Sequence, residues 1–131
     1  MIGLDTHVVR YLVQDDPDQA AAASALVDGL TDNDPGYLRL VTVVELYWVL
    51  RRADNTSSTR CAELIVGLLD ARELRVDQAG AVRAALTAGR DGLDFAGALI
   101  ADLGRAAGCE HTVTFDRRAA HSNAMRLLAV R

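Results

Sequence analysis

Four acids stand where an apolar segment ends or a helix is expected to begin. Asp5 closes Ile-Gly-Leu and Asp116 closes Thr-Val-Thr-Phe. Glu45 lies early in Thr-Val-Val-Glu-Leu-Tyr-Trp-Val-Leu, and Asp94 precedes Phe-Ala-Gly-Ala-Leu-Ile-Ala. Carboxylates gathered without cationic partners repel one another, and a divalent cation relieves that repulsion. Oxygen-only donors suit Mg2+ or Mn2+. Such an ion activates water and stabilises the charge that builds on a phosphodiester. The chemistry to look for is therefore metal-assisted phosphodiester hydrolysis. Each acid also has ordinary structural work available. Asp5, Asp94 and Asp116 can cap the helices that follow them, and Glu45 completes a capping box with Thr42.

The elements that must position these acids alternate along the chain. Short strands are expected at residues 2–5, 37–41, 73–77, 111–116 and 125–130. Helices are expected at 6–13, about 17–30, 43–53, 57–70, 78–89 and 94–107, with a helical turn at 117–122. Asp16 followed by Pro17 marks one helix start, and Gly89 and Gly108 mark helix ends. Strands alternating with helices imply an α/β fold with a parallel sheet of about five strands and helices on both faces. Ligands of open parallel sheets bind outside the C-terminal strand ends. Asp5, Glu45, Asp94 and Asp116 are thus expected to converge on one sheet edge.

Several segments together resemble a known family. Gly-Leu-Asp-Thr-His-Val-Val-Arg-Tyr-Leu at the start, Val-Val-Glu-Leu-Tyr-Trp-Val-Leu-Arg-Arg in the middle, and Leu-Asp-Phe-Ala-Gly-Ala-Leu-Ile-Ala-Asp-Leu and Val-Thr-Phe-Asp-Arg near the end resemble PIN domains. More narrowly, they resemble VapC-type toxins of bacterial toxin–antitoxin pairs. The resemblance implies a three-layer α/β/α sandwich and a Mg2+- or Mn2+-dependent endoribonuclease that cuts RNA by metal-activated water. It also implies a homodimer and a VapB-like antitoxin partner, in a protein whose two cysteines are expected as free thiols of a reducing cytoplasm. It carries the family's acids onto Asp5, Glu45 and Asp116, with Asp94 as an auxiliary ligand. The expected metal ligands are Asp5, Asp94 and Asp116. Thr6 and Thr114 take auxiliary positions beside Asp5 and Asp116.

Two positions depart from the family pattern. His7 stands where the family usually has asparagine; it can hydrogen-bond locally or line the site. Gly97 stands where close relatives carry the third metal-site acid. Glycine in a helix interior costs about 1 kcal/mol relative to alanine, and helix physics alone gives no reason for it. The resemblance therefore implies a ribonuclease attenuated at Gly97. Asp94, one turn earlier on roughly the same face, is placed to replace part of the lost charge. The rival reading is a catalytically inactive PIN-fold module that binds an antitoxin or RNA. A phosphatase-like site is disfavoured, since it needs a second aspartate where His7 stands.

The bulk properties agree with one domain over residues 1–131. Half of the residues are hydrophobic and 24% are charged, as in a globular protein. The net charge of −4 gives no support to a generally basic nucleic-acid surface, but a local patch remains compatible with it. Arg117 and Arg118, directly after Asp116, are the candidates for RNA phosphate contacts. Tyr47 and Trp48 are expected in the core or at a dimer contact. Cys61 and Cys109 fit no metal or redox spacing and are expected as buried free thiols. No segment reaches the roughly 20 apolar residues of a membrane span, and the N-terminus lacks the basic and apolar regions of a signal peptide.

Overall fold

The computed structural model describes residues 1–13, 17–87 and 93–130. The expected N-cap Asp16 and helix-ending Gly89 lie outside them. The chain divides into two compact units, Met1–Ala79 and Gly80–Arg131.

The first unit is built on a parallel three-stranded sheet. Its strands β1 (Ile2–Gly3), β2 (Gly36–Leu38) and β3 (Leu74–Val76) lie in the order β1-β2-β3. The helices α1 (Thr6–Val13), α2 (Pro17–Asp28), α3 (Leu40–Arg52) and α4 (Ser58–Asp70) connect them. The sheet is closely packed at Gly36. A Cβ there would stand 2.9 Å from a Leu4 methyl and 3.0 Å from a Leu30 methyl, closer than packed carbons tolerate. Helix α3 buries Val43, Leu46 and Leu50, and α4 buries Cys61, Ile65 and Leu68, the spacing of a single core-facing stripe on each helix. Burial of a Leu or Ile side chain stabilises by about 1.5–3 kcal/mol, so these stripes outweigh any single polar contact in holding the unit.

The start of α3 departs from the expected capping box. The helix begins at Leu40, with Arg39 as an N-cap that makes no side-chain bond. Thr42 therefore lies inside the helix and Glu45 in its second turn. The free N–H of Leu40 is instead satisfied by Asp77 Oδ2 at 3.3 Å. A remote acid has taken the work that the local pattern assigned to Thr42. At the other end, Arg10 of α1 forms a two-point ion pair with Asp54, just past α3, with Nε to Oδ2 at 3.1 Å. The pair is largely covered and joins the helix that Asp5 precedes and Thr6 opens to the helix bearing Glu45.

The second unit holds α5 (Ala79–Ala85, starting at the boundary residue), α6 (Phe95–Ala106), a 3-10 turn (Ala119–His121), and strands β4 (Thr112–Thr114) and β5 (Met125–Leu127). Helix α6 ends as expected at Gly108, whose φ of 100° suits glycine. The Cys109 N–H reaches back to the Gly104 carbonyl and the Gly108 N–H to that of Arg105, both at 3.0 Å, which satisfies two terminal carbonyls of the helix. Strands β4 and β5 pair in parallel. Among the described residues all the ladders are thus parallel, and the five strands expected are present. They are hydrogen-bonded as a three-stranded and a two-stranded sheet among the described residues, not as one continuous sheet. The strands are shorter than the apolar runs suggested, because runs such as residues 37–41 pass into the next helix before they end.

Both cysteines are free, but only Cys61 is buried; Cys109 is exposed, against expectation. Burial raises the Cys61 thiol above its ordinary pKa and keeps it protonated at neutral pH. None of the described helices is long and apolar enough to cross a membrane.

Candidate functional site

In the first unit, the acids follow the C-terminal ends of parallel strands. Asp5 comes two residues after β1, and Glu45 lies on the helix that follows β2. The structure brings their elements together through Thr6. This threonine is only 4% exposed, and its hydroxyl donates to Glu45 Oε1. A buried hydroxyl aimed at a carboxylate both satisfies itself and fixes the acid's orientation. Asp5, next to Thr6, turns toward solvent, and His7 Nδ1 stands 3.2 Å from its Oδ2. The bond from the His7 ring, with support from the Thr6 backbone N–H, lowers the Asp5 carboxyl below its ordinary pKa. His7 therefore takes the local hydrogen-bonding option open to it.

A further acid of this unit was not anticipated. Asp77 follows β3 directly, at the same C-terminal edge as Asp5, and it caps α3. The signal was present: Glu-Leu-Arg-Val-Asp ends an apolar run in an acid, as Ile-Gly-Leu-Asp and Thr-Val-Thr-Phe-Asp do.

In the second unit, both predicted acids accept from backbone N–H groups. Asp94 is the N-cap of α6, and its Oδ1 accepts from the Gly97 N–H at 2.7 Å. Asp116 Oδ1 accepts from the N–H groups of Arg118 at 2.8 Å and Ala119 at 3.4 Å. Thr114 Oγ1 accepts from the Asp116 N–H at 3.0 Å, so it sets the backbone that carries the acid. The structural roles open to Asp94 and Asp116 are thus both realised.

Gly97 gains a local reason that helix propensity did not give. A Cβ at this position would stand 2.8 Å from Asp94 Oδ1. The capping carboxylate lies where a side chain would begin. Any larger residue must push that carboxylate aside, which a flexible side-chain end can accommodate. Position 97 and the Asp94 cap are therefore coupled.

Oxygen donors of this kind match a hard divalent cation. In number, each unit on its own supplies two of the four predicted acids. Among the described residues, no group of three or more His, Cys, Asp or Glu side chains is placed to hold a metal ion.

Arg117 and Arg118 are exposed, as are His111 and His121. Trp48, expected in the core or at a contact, keeps 43% of its surface exposed, while Tyr47 is half-buried. Trp48 lies on the side of α3 away from Val43, Leu46 and Leu50, where the core cannot reach it.

The chain matches the PIN domain family over residues 2–124. It belongs to that family. The match takes in β1, all the helices and every predicted acid, and it runs across the boundary between the two units. No curated protein matches the chain. PIN domains are generally metal-dependent nucleases, which gives Asp5 and Glu45 a chemical context.

Proposed function

We propose that this PIN domain is a VapC-like endoribonuclease toxin, dependent on Mg2+ or Mn2+ and attenuated by glycine at position 97. The observation that carries the reading is the Thr6–Glu45 bond beside Asp5 within a chain of this family. It holds one predicted acid in a fixed orientation beside the segment that bears another. The resemblance assigns the cation to Asp5, Asp94 and Asp116 and makes Glu45 a further acid of the reaction. When bound, the ion supplies an activated water and stabilises charge on the scissile phosphate. Thr6 orients Glu45, His7 keeps Asp5 ionised to lower pH, and Thr114 sets the backbone at Asp116. Arg117 and Arg118 would contact RNA phosphates. A homodimer and a VapB-like antitoxin complete the reading and rest on the resemblance; a cytoplasmic setting is read from the two free cysteines.

A second reading has its own support. Asp94 caps α6, Asp116 accepts from backbone N–H groups of the turn that follows it, and position 97 carries no acid. These facts suit a catalytically inactive module that binds an antitoxin or RNA. Mn2+ calorimetry and cleavage of total RNA, run on this chain and on Gly97→Asp, separate the two. Tighter Mn2+ binding and cleavage by Gly97→Asp, with weak or no cleavage by the parent, support the attenuated ribonuclease. Equal cleavage by both shows that Asp94 suffices. Neither binding nor cleavage by either gives the binding module.

A further inference from the structure

The exposed side of α3 carries Val41, Glu45, Trp48 and Arg52 at helical spacing, one stripe opposite the buried Val43, Leu46 and Leu50. Val41 is 72% exposed and Trp48 43%. An exposed tryptophan on a helix whose other side already anchors the core is not needed for packing. Arg52 lies over its ring, with the guanidinium carbon 4.3 Å from the ring centroid, well within cation–π range. The Arg51 guanidinium, beside it in sequence, donates to the Thr56 carbonyl at 3.0 Å, so a second positive charge is fixed at this end of the helix. Trp48 is also three residues from Glu45, and residues at that spacing are surface neighbours on a helix.

We propose that Trp48 is a stacking surface for a base of single-stranded RNA, seated beside Glu45. The proposal deepens the ribonuclease reading and rests on it. Stacking accepts any base, because every base has a π-face, and arginine strengthens it through cation–π attraction and contact with phosphate. The arginines at the end of α3 offset locally the repulsion that a chain of net charge −4 exerts on RNA. A base on Trp48 would bring its phosphodiester past Glu45, one helical turn away. The substrate class this implies is unpaired RNA, since a base within a duplex is already stacked and cannot cover the ring.

Trp48 is the chain's single tryptophan, so its emission reports this site alone. The probe is a ten-nucleotide single-stranded RNA of mixed sequence, titrated into the full chain in EDTA so that cleavage plays no part. Saturable quenching is expected, with little from the same RNA annealed to its complement. With 5′-labelled RNA followed by anisotropy, Trp48→Leu should bind about 5- to 150-fold more weakly, the range reported by removal of one stacking aromatic. Trp48→Phe should recover most of that loss. The proposal is overturned if quenching is absent, or if Trp48→Leu binds RNA as the parent does. It is also overturned if Trp48→Leu changes only the molar mass in light scattering, which makes this face a contact between copies. Cleavage by Gly97→Asp with Mn2+ is read separately. RNA that binds with quenching but is never cut removes the ribonuclease reading and leaves the stacking surface. RNA that is cut equally by Gly97→Asp with and without Trp48→Leu does the reverse.

Discussion

In the first unit, Glu45 is held by the Thr6 hydroxyl, and Asp5 by the His7 ring together with backbone N–H groups at the start of α1. In the second, Asp94 and Asp116 are held by backbone N–H groups at helix ends. Acids held by side chains can be removed without exposing a helix terminus. Acids that cap helices cannot, because the N–H groups they satisfy lose their partner. Stability and chemistry should therefore separate most cleanly at Glu45 in the first unit and be mixed at the acids that hold backbone N–H groups.

The largest expected effect tests the first half of that statement. In a Gly97→Asp background, Asp5→Asn or Glu45→Gln should lower RNA cleavage by at least about 100-fold, the scale seen when a group that stabilises developing charge is lost. Thermal midpoints should stay near that of the background. Thr6→Val should act more weakly, by about 10–100-fold, as removal of a group that orients a ligand does. Loss of cleavage that merely tracks loss of folded protein would show these residues to be structural.

Next in size is the clamp between α1 and α3. Arg10 and Asp54 form a largely covered two-point pair, and hydrogen bonds to charged groups contribute about 1.5–3 kcal/mol each. Arg10→Met should destabilise the fold by about 2 kcal/mol in urea unfolding. It should also weaken cleavage in the Gly97→Asp background beyond what the folded fraction explains, since it loosens Thr6 against Glu45. A variant as stable as its parent would show the pair to be near neutral, as some buried ion pairs are.

In the second unit, Asp94→Ala should cost about 1 kcal/mol, the usual value of an N-cap, while Asp94→Ser keeps most of it. At this chain length that is a fall of about 3–5 °C in thermal midpoint. Gly97→Asp adds an acid and presses on the Asp94 carboxylate. Its stability should therefore depend on Asp94, and a double-mutant cycle with Asp94→Ala should be non-additive. Additive effects would mean that the cap and position 97 are independent.

How much of this was legible in the sequence follows the same division. Helix α1 was readable to its ends, and the stop of α6 was marked by Gly108, because those signals are local. The start of α3 was not, since its first N–H is satisfied by Asp77, far along the chain. The strands read too long, because apolar runs such as residues 37–41 continue into the next helix without a polar break. Asp94 and Asp116 were recognisable as caps. The bond between Thr6 and Glu45 was not, for residues on separate helices carry no spacing rule that pairs them. Of the two places expected for Trp48, the core is excluded for a related reason: a tryptophan in an apolar helix reads as core until the buried stripe is known to run along the other side.

The smallest effect concerns His7 and sharpens the account of Asp5. The His7 ring bond is the largest cause that lowers the Asp5 carboxyl pKa, ahead of the Thr6 backbone N–H. A carboxyl depressed in the folded state contributes stability that is fully present above its unfolded pKa. That contribution is lost as pH falls through the folded value. Asp5 is exposed to solvent, so its weight in overall stability is small, and its own titration is the measurement to make. In a carboxyl carbon NMR titration, the Asp5 midpoint should lie below the ordinary aspartate value and move up in His7→Ala. His7→Asn, which restores the family residue, should return part of the depression, because an amide can donate to the same oxygen without bringing charge. A midpoint unmoved in His7→Ala would assign the depression to the backbone N–H of Thr6 instead, and His7 would then be a neighbour of the acid and not its support.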